Sequence, residues 1–160
     1  MLAGEGGRMA ISREVVMPES IKHARPKRFP VLIRGRWWPL LIPFGVTQER
    51  AFVQVGEREL RVCFGPLFDY RFPLEAVETV APSRWPLWAG IGPRVDFRGT
   101  VAFVGAYENT VEVRFKERQR VRMVVPLPCE RLFLSLEDPE AFIAALEKRA
   151  VTAEAPAKAA

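Results

Sequence analysis

The chain has 160 residues, which is enough for one domain with short tails but not for two ordinary domains. Hydrophobic residues make up 49% of it, so the domain can bury a core without disulfides. Cys63 and Cys129 lie far apart in the sequence and are predicted to be ordinary thiols of a cytoplasmic protein. The formal net charge of +5 keeps nucleic acid and anionic lipid open as partners.

Both ends of the chain differ in composition from its middle. Residues 1–28 are polar and finish with the basic run KHARPKR, and residues 150–160 are rich in alanine. We predict that both ends are flexible and that residues 29–149 form a single domain. The start has no apolar run of the kind that a secretion signal needs, so export is not predicted.

The most apolar stretch is WWPLLIPFGV, at residues 37–46. Its 10 residues are half of the roughly 20 that a spanning helix needs, and Pro39 and Pro43 interrupt helical hydrogen bonding. A membrane span is therefore not predicted here. The sequence leaves open whether residues 29–46 pack onto the domain or project from it as a binding surface.

Six runs in the middle of the chain predict β-strands. Four of them alternate apolar and polar residues and two are rich in β-forming residues; the runs are 51–55, 58–64, 68–72, 101–107, 111–115 and 131–136. Turn-forming pairs separate them, at 56–57, 65–66, 98–99 and 108–109. Short strands at this spacing indicate an antiparallel meander of about seven strands, curled into a small barrel or a sandwich.

The pattern changes to a helical period near the end of the chain. Asp138 is a suitable N-cap, and Pro139 fits the first helical position. Phe142 and Leu146 lie one turn apart and form an apolar face. We predict one C-terminal helix at about 138–149, which closes one end of a mainly β domain.

Three passages together resemble the bacterial pleckstrin-homology-like (PH-like) domains, over roughly residues 45–149. They are FGPLFDYRFPLEAVETV, a tryptophan- and glycine-rich link, and the strand-to-helix step LSLEDPEAFIAAL. The chain looks most like uncharacterised bacterial proteins that carry RWP near the start of the link and a DPEAF-type helix. The resemblance implies a PH-like barrel or sandwich. The resemblance does not imply phosphoinositide binding. PH domains that bind inositol phosphates can do so through a basic loop between their first two strands, and the turn at that place here, GERE at 56–59, is not basic.

The sequence contains no pattern typical of a catalytic or metal site. Its single histidine, His23, lies in the basic N-terminal segment and is predicted to be solvated. The glutamates are spread singly, and GIGP at 90–93 is followed by no crossover helix that would support a dinucleotide site. We therefore predict a protein without catalytic activity, cofactor or metal.

The stretch SRWPLWAGIGPRV, at 83–95, is predicted to be the long link between the early and the late strands. Its prolines stiffen it, its glycines let it bend, and Trp85 or Trp88 pins it to the domain. Arg84, Arg94 and Arg98 either flank a pocket beside the link or face water.

The run RFKERQRVR places five cations at alternate positions from 114 to 122. An unbroken strand would present them on one face, where they could follow phosphates or an anionic membrane. It would also turn Glu117 and Gln119 inward. We therefore expect a turn near 117–119 that splits the stripe, and the favoured interpretation is a solvated strand edge.

These segments favour a non-enzymatic binding or scaffolding module with a protein partner. The alternatives are peripheral association with an anionic membrane and a small ligand in the barrel mouth; nucleic acid has the weakest support. The candidate interaction residues are the tryptophans and cations of the three segments: Arg34, Arg36, Trp37, Trp38, Arg84, Trp85, Trp88, Arg94, Arg114, Lys116, Arg118, Arg120 and Arg122.

Overall fold

A computed structural model describes residues 25–154 of the chain. The strands of this part are β1 (Lys27–Pro30), β2 (Ala51–Val55), β3 (Glu59–Phe64), β4 (Phe68–Pro73), β5 (Val77–Ser83), β6 (Gly92–Val95), β7 (Thr100–Val104), β8 (Thr110–Arg122) and β9 (Pro126–Ser135). The helices are α1 (Trp38–Leu41) and α2 (Pro139–Glu154), and short 3₁₀ turns lie at Ile42–Phe44, Gln48–Arg50, Leu74–Ala76 and Leu87–Ala89. The predictions for His23 and for the outermost tails lie outside the described residues.

The first four strands form an antiparallel meander in the order β1-β2-β3-β4. Alternation along β3 buries Leu60, Val62 and Phe64 and places Arg61 on the opposite face. There the Arg61 guanidinium donates hydrogen bonds of 2.8 and 2.5 Å to the Asp69 carboxylate of β4, which holds the pKa of Asp69 below its usual range. One face of this sheet is thus core and the other is a solvated surface of paired charges.

The other five strands form a second sheet in the order β5-β8-β9-β7-β6. Its neighbouring strands are antiparallel except β7 and β9, which run parallel with Val101 beside Leu132. The prediction of a wholly antiparallel meander is wrong at this pair. The cause is the β8–β9 hairpin, which folds back so that β9 lies between β8 and β7.

The two sheets pack face to face through buried aromatic rings. The ring centroid of Phe103 in β7 lies 5.1 Å from that of Phe64 and 4.4 Å from that of Phe68. Phe72 of β4 stacks on Phe115 of β8 at 4.6 Å. The mainly β prediction is confirmed. Of the two predicted arrangements, a barrel or a sandwich, the described strands form two packed sheets and no closed barrel. The described residues contain nine strands, where about seven were predicted.

Helix α2 packs against β2, β5 and β8 of both sheets. Asp138 Oδ1 accepts a hydrogen bond of 3.0 Å from the Ala141 N–H, which confirms the predicted N-cap. Phe142 and Leu146 are fully buried, and the Phe142 ring meets Phe29 of β1 edge to face at 5.4 Å. The helix therefore joins the edge of the first sheet to the edge of the second.

Regular secondary structure continues past residues 29 and 149, the predicted limits of the domain. Lys27 and Arg28 belong to β1, where they pair with Val55 and Gln54, although they fall in the segment predicted to be flexible. Helix α2 continues to Glu154, past the predicted helix end.

Each of the six predicted runs contains a strand, and β2 matches the run 51–55 residue for residue. The run 101–107 is confirmed only in part, because β7 ends at Val104. Three strands lie outside those runs: β1, β5 and β6. Each contains a proline, at Pro30, Pro82 and Pro93, which cannot donate to a strand ladder and so weakens the sequence signal. All three are edge strands of their sheets, where such prolines are tolerated.

Candidate interaction surfaces

The segment after β1 crosses from the first sheet to the second and holds one end of the sandwich together. Val31 forms an antiparallel bridge with Leu136, and Ile33 forms a parallel bridge with Gly105. The buried Ser135 hydroxyl accepts a hydrogen bond of 2.8 Å from the Gly105 N–H and donates one of 3.1 Å to the Leu32 carbonyl. This part of the 29–46 segment belongs to the folded body.

The next part of the segment carries the first group of candidate residues. Trp37 and Trp38 are half-buried, and Trp38 packs against the core. Arg34 is exposed and forms an ion pair with Glu108 at 2.5 Å, and Arg36 is exposed. Trp38 therefore serves mainly as a packing residue, and Trp37 remains partly exposed. The exposed apolar groups lie just beyond them, at Leu40, Ile42 and Phe44.

The predicted link is shorter than the sequence indicated, because β5 reaches Ser83 and β6 begins at Gly92. Trp85 lies on the outer face of the second sheet, where its ring centroid is 5.3 Å from that of Phe133. Its indole Nε1 donates a hydrogen bond of 2.8 Å to the Gly90 carbonyl. Of the two tryptophans predicted as anchors, Trp85 is the one that pins the link.

Trp88, in the same link, is 89% exposed, and its neighbour Leu87 is 74% exposed. Both lie in a 3₁₀ turn that is tied down at several points. The Tyr107 hydroxyl donates to the Leu87 carbonyl at 3.3 Å, and the Ala89 N–H donates to the Pro86 carbonyl at 3.1 Å. The link thus presents a large aromatic side chain to solvent on a fixed backbone.

Other exposed apolar side chains lie at the same end of the sandwich. Leu41 Cδ2 is 3.8 Å from the position that a Cβ on Gly92 would take, so α1 lies beside the start of β6. A Cβ on Gly45 would meet Pro66 at 3.1 Å, so the 3₁₀ turn before Gly45 adjoins the β3–β4 turn. We call this surface the tryptophan end; its exposed apolar members are Leu40, Ile42, Phe44, Leu67, Leu87 and Trp88.

Exposed arginines accompany the tryptophan end. Arg36, Arg84 and Arg94 form no ion pair with any residue that the structure describes. The Arg94 guanidinium folds back over the link, with Nη2 2.6 Å from where a Cβ on Gly90 would stand. Gly90 has a φ of 74°, a left-handed backbone conformation that favours glycine.

At the opposite end of β8 the structure departs from the prediction. Strand β8 continues through Arg122, and the turn predicted near 117–119 is wrong. A β-bulge takes its place: the pairing with β9 shifts from Arg114–Arg131 to Gln119–Cys129. The bulge leaves Glu117 exposed, so the charged side chain that the unbroken strand would have buried stays in water. The turn itself lies at residues 123–125.

We call residues 116–130 the basic hairpin. Its inner face consists of Val121, Leu127 and Cys129, which are buried in the core. All five predicted cations of β8 are exposed on the other side. Among them, Arg114 bonds Glu112 at 2.8 Å, and Arg118 bonds Glu130 at 2.6 Å.

Arg120 and Arg122, nearest the hairpin turn, have no ion-pair partner among the described residues. The turn exposes two apolar residues, Val124 at 91% and Val125 at 49%. Phe97, in the β6–β7 turn, is 78% exposed. The exposure of these three apolar residues was not predicted, because Val and Phe in a β-rich chain are expected to be buried. The one sequence feature that indicated exposure was the position of Phe97, which directly precedes the turn residues at 98–99.

Neither cysteine is suited to nucleophilic chemistry near neutral pH. Burial raises the pKa of the Cys129 thiol to about 12, and burial likewise raises the pKa of Cys63. Residues 25–154 contain no group of three or more His, Cys, Asp or Glu side chains that could hold a metal ion. Since the described strands form no closed barrel, this part of the chain does not form the barrel mouth on which the small-ligand alternative depends.

An open groove of about 980 Å³ lies between α2 and the β2–β3 turn. Its rim carries both signs of charge, with Lys27, Arg58 and Lys148 facing Glu57 and Glu75. A mixed rim of this kind selects no single class of charged ligand.

Comparisons of the chain with protein-family models, with curated proteins and with solved structures found no match. Among the described residues, α2 is the longest helix, and neither it nor α1 has the length and apolar character that crossing a bilayer requires.

Proposed function

We propose that the chain is a non-enzymatic interaction module that binds a protein partner through the tryptophan end. The exposure of Trp88, at 89%, is the observation that carries this proposal. We also propose that the fold is PH-like, as the sequence resemblance predicts.

Exposing an indole to this degree is unfavourable in water. Trp85, three residues earlier, avoids this exposure, because its ring packs on Phe133 and its N–H donates a hydrogen bond to the Gly90 carbonyl. Trp88 has neither arrangement in the described structure. A buried indole removes about 150–250 Å² of surface from water, so a partner that covers Trp88 gains a large apolar contact.

The fixed backbone of the link favours binding as well. Trp85 and Tyr107 hold the turn on which Trp88 stands, so little conformational freedom is lost when a partner docks. Tryptophan and arginine are also the residues that most often dominate the energy of protein interfaces. Arg84 and Arg94 flank Trp88 in the sequence and have no partner in the described part of the chain.

A photo-crosslinking experiment tests the proposal. A photoreactive phenylalanine analogue replaces Trp88 in one variant and Val151 in a control, since Val151 is 70% exposed on α2, away from the tryptophan end. Irradiation in cells should give discrete protein adducts from position 88 and none of the same mass from position 151. An adduct of twice the chain mass would identify the partner as a second copy.

Three results would count against the proposal. Equal adducts from both positions would mean nonspecific contact, and adducts with lipid alone would assign the tryptophan end to a membrane. Turnover of a substrate by the purified protein, abolished by one substitution that leaves the fold intact, would replace the interaction module by an enzyme. For a genuine protein partner, Trp88→Ala should weaken binding by about 2–4 kcal/mol.

A further inference from the structure

The basic hairpin is a second surface, at the opposite end of β8 from the tryptophan end. Pairing with β5 ends at Phe115, and β7 begins to pair with β9 only at Arg131. Between these limits β8 and β9 pair only with each other. The hairpin therefore reaches past the body of the second sheet and presents its turn to solvent.

The charge of the hairpin is concentrated near its turn. Arg118 is neutralised by Glu130, but Arg120 and Arg122 beyond it are unpaired within the described residues. Exposed arginines next to a surface of paired charges create a local positive potential that attracts anions. This potential lies within two residues of the apolar turn at Val124 and Val125.

The β6–β7 turn adds a second apolar group at this end. The Gly99 carbonyl accepts hydrogen bonds of 2.7 and 3.0 Å from the N–H groups of Glu130 and Arg131, which places the turn beside β9. Asp96 Oδ1 accepts from the Thr100 N–H at 2.8 Å and keeps the turn closed. Phe97 stands on this fixed turn with most of its ring in water.

We propose that this end of the molecule binds the surface of an anionic phospholipid membrane. Arg120 and Arg122 contact the headgroup phosphates, and Val124 and Phe97 enter the boundary between headgroups and acyl chains. The exposed apolar turns next to unpaired arginines favour a lipid surface over nucleic acid as the partner. A nucleic-acid backbone would use the cations but would leave Val124 in water.

Co-sedimentation with vesicles tests this assignment. One set of vesicles contains phosphatidylcholine alone, and the other contains phosphatidylcholine mixed with phosphatidylglycerol. The full chain should sediment with the mixed vesicles at low salt, and far less with phosphatidylcholine alone. The double variant Arg120→Glu/Arg122→Glu should lower the partition coefficient by roughly 30-fold or more, because each cation near an anionic surface contributes on the order of a factor of five.

The matched control is Lys148→Glu/Arg149→Glu on α2, which changes the net charge by the same amount on a different surface. It should lower the partition coefficient much less. An equal loss in both double variants would mean that only net charge matters and would overturn the assignment. So would equal binding to both kinds of vesicle.

Insertion of the turn is tested separately from charge. An environment-sensitive fluorophore is attached at Val124→Cys and, as control, at Val151→Cys; both native cysteines are buried and react slowly. Mixed vesicles should shift the emission to shorter wavelength only for the label at position 124. Unchanged emission at both positions would overturn the insertion of the turn. Phe97→Ser should lower vesicle binding by about tenfold without a change in unfolding midpoint.

A random-sequence DNA duplex separates lipid from nucleic acid. Tighter binding to the duplex than to mixed vesicles, lost in Arg120→Glu/Arg122→Glu, would overturn the lipid assignment. Trp88→Ala should leave vesicle binding unchanged, because the tryptophan end is a separate surface. Failure of the vesicle test therefore leaves the crosslinking test at Trp88 intact, and the reverse also holds.

Discussion

The tryptophan end and the basic hairpin are built from similar residues and held by different forces. At the tryptophan end the link is tied to the body by the Trp85 indole on Phe133. The segment after β1 is tied there by the Ser135 hydroxyl and by the bridge between Ile33 and Gly105. The basic hairpin is held in place by the pairing of its two strands and by burial of one apolar face, which includes Val121. One end is fixed by specific contacts and the other by burial of a few apolar groups.

This difference shows why residue type alone does not identify a binding surface here. Trp85 and Trp88 differ by three positions, yet one is an anchor and the other is exposed. Arg118 and Arg120 differ by two positions, yet one is neutralised by Glu130 and the other is unpaired in the described structure. In both regions the immediate neighbour in space, and not the side chain itself, decides which residue faces a partner.

Gly105→Ala should be the most damaging single change at the tryptophan end. A Cβ there would collide with the Leu32 carbonyl and come within 2.8 Å of Ile33 Cγ1, so the crossing segment would have to move. We expect a loss of about 3 kcal/mol in the free energy of unfolding, measured with urea. Gly35→Ala is the control, because a Cβ at Gly35 would meet no atom within 4 Å. Similar losses in both variants would contradict the close packing described here.

Trp85→Ala should separate the anchor from the exposed tryptophan. Loss of the contact with Phe133 and of the hydrogen bond to Gly90 should lower the free energy of unfolding by about 2 kcal/mol. Trp88→Ala should change it by less than about 0.5 kcal/mol, because its side chain contacts little. Denaturant unfolding of the two variants side by side measures the difference. The reverse order would exchange the roles of the two tryptophans.

Cys129 makes the stability of the hairpin sensitive to alkali. Burial raises the pKa of the Cys129 thiol to about 12 in the folded chain, and unfolding returns this pKa to its ordinary value near 9. The stabilisation from burying the neutral thiol is therefore fully present below about pH 9 and is lost as the pH rises toward 12. Relative to Cys129→Ala, the native chain should lose about 1 kcal/mol by about pH 10. Parallel curves for the two proteins from neutral to alkaline pH would show that Cys129 is solvated.

Asp96→Ala should have the smallest of the four effects, at the turn that carries Phe97. Burial acts to raise the pKa of Asp96, but hydrogen bonds from Thr100, Arg98 and Gly99 outweigh it and lower the pKa. The stabilisation is therefore present at neutral pH and is lost as the pH falls through the lowered pKa. Because Asp96 is exposed and its interactions are screened by water, we expect a loss of only about 0.5 kcal/mol at neutral pH, which disappears in acid. Asp96→Asn, which keeps an acceptor, should lose less; an equal loss would contradict the role of these hydrogen bonds.

Local patterns predicted much of the fold because they report burial directly. Alternation in β3, with Leu60, Val62 and Phe64 inward, was correct, and so was the N-cap of α2 at Asp138. The turn pair at 108–109 is confirmed by a left-handed Asn109, with a φ of 53°. The proline-containing edge strands and the bulge in β8 were missed, because their stability comes from neighbouring strands that the sequence does not place.

The sequence by itself determined that this is a mainly β domain with one C-terminal helix, and it identified the segments rich in tryptophan and arginine. Periodicity and capping suffice for that, since they depend on residues a few positions apart. The tertiary structure decided the parallel pairing of β7 with β9 and the course of β8 through Arg122. It also decided that Trp85 is covered while Trp88 is exposed. Each of these depends on which strand or ring lies beside a residue in space, and contacts between residues far apart in sequence are not encoded in the local pattern.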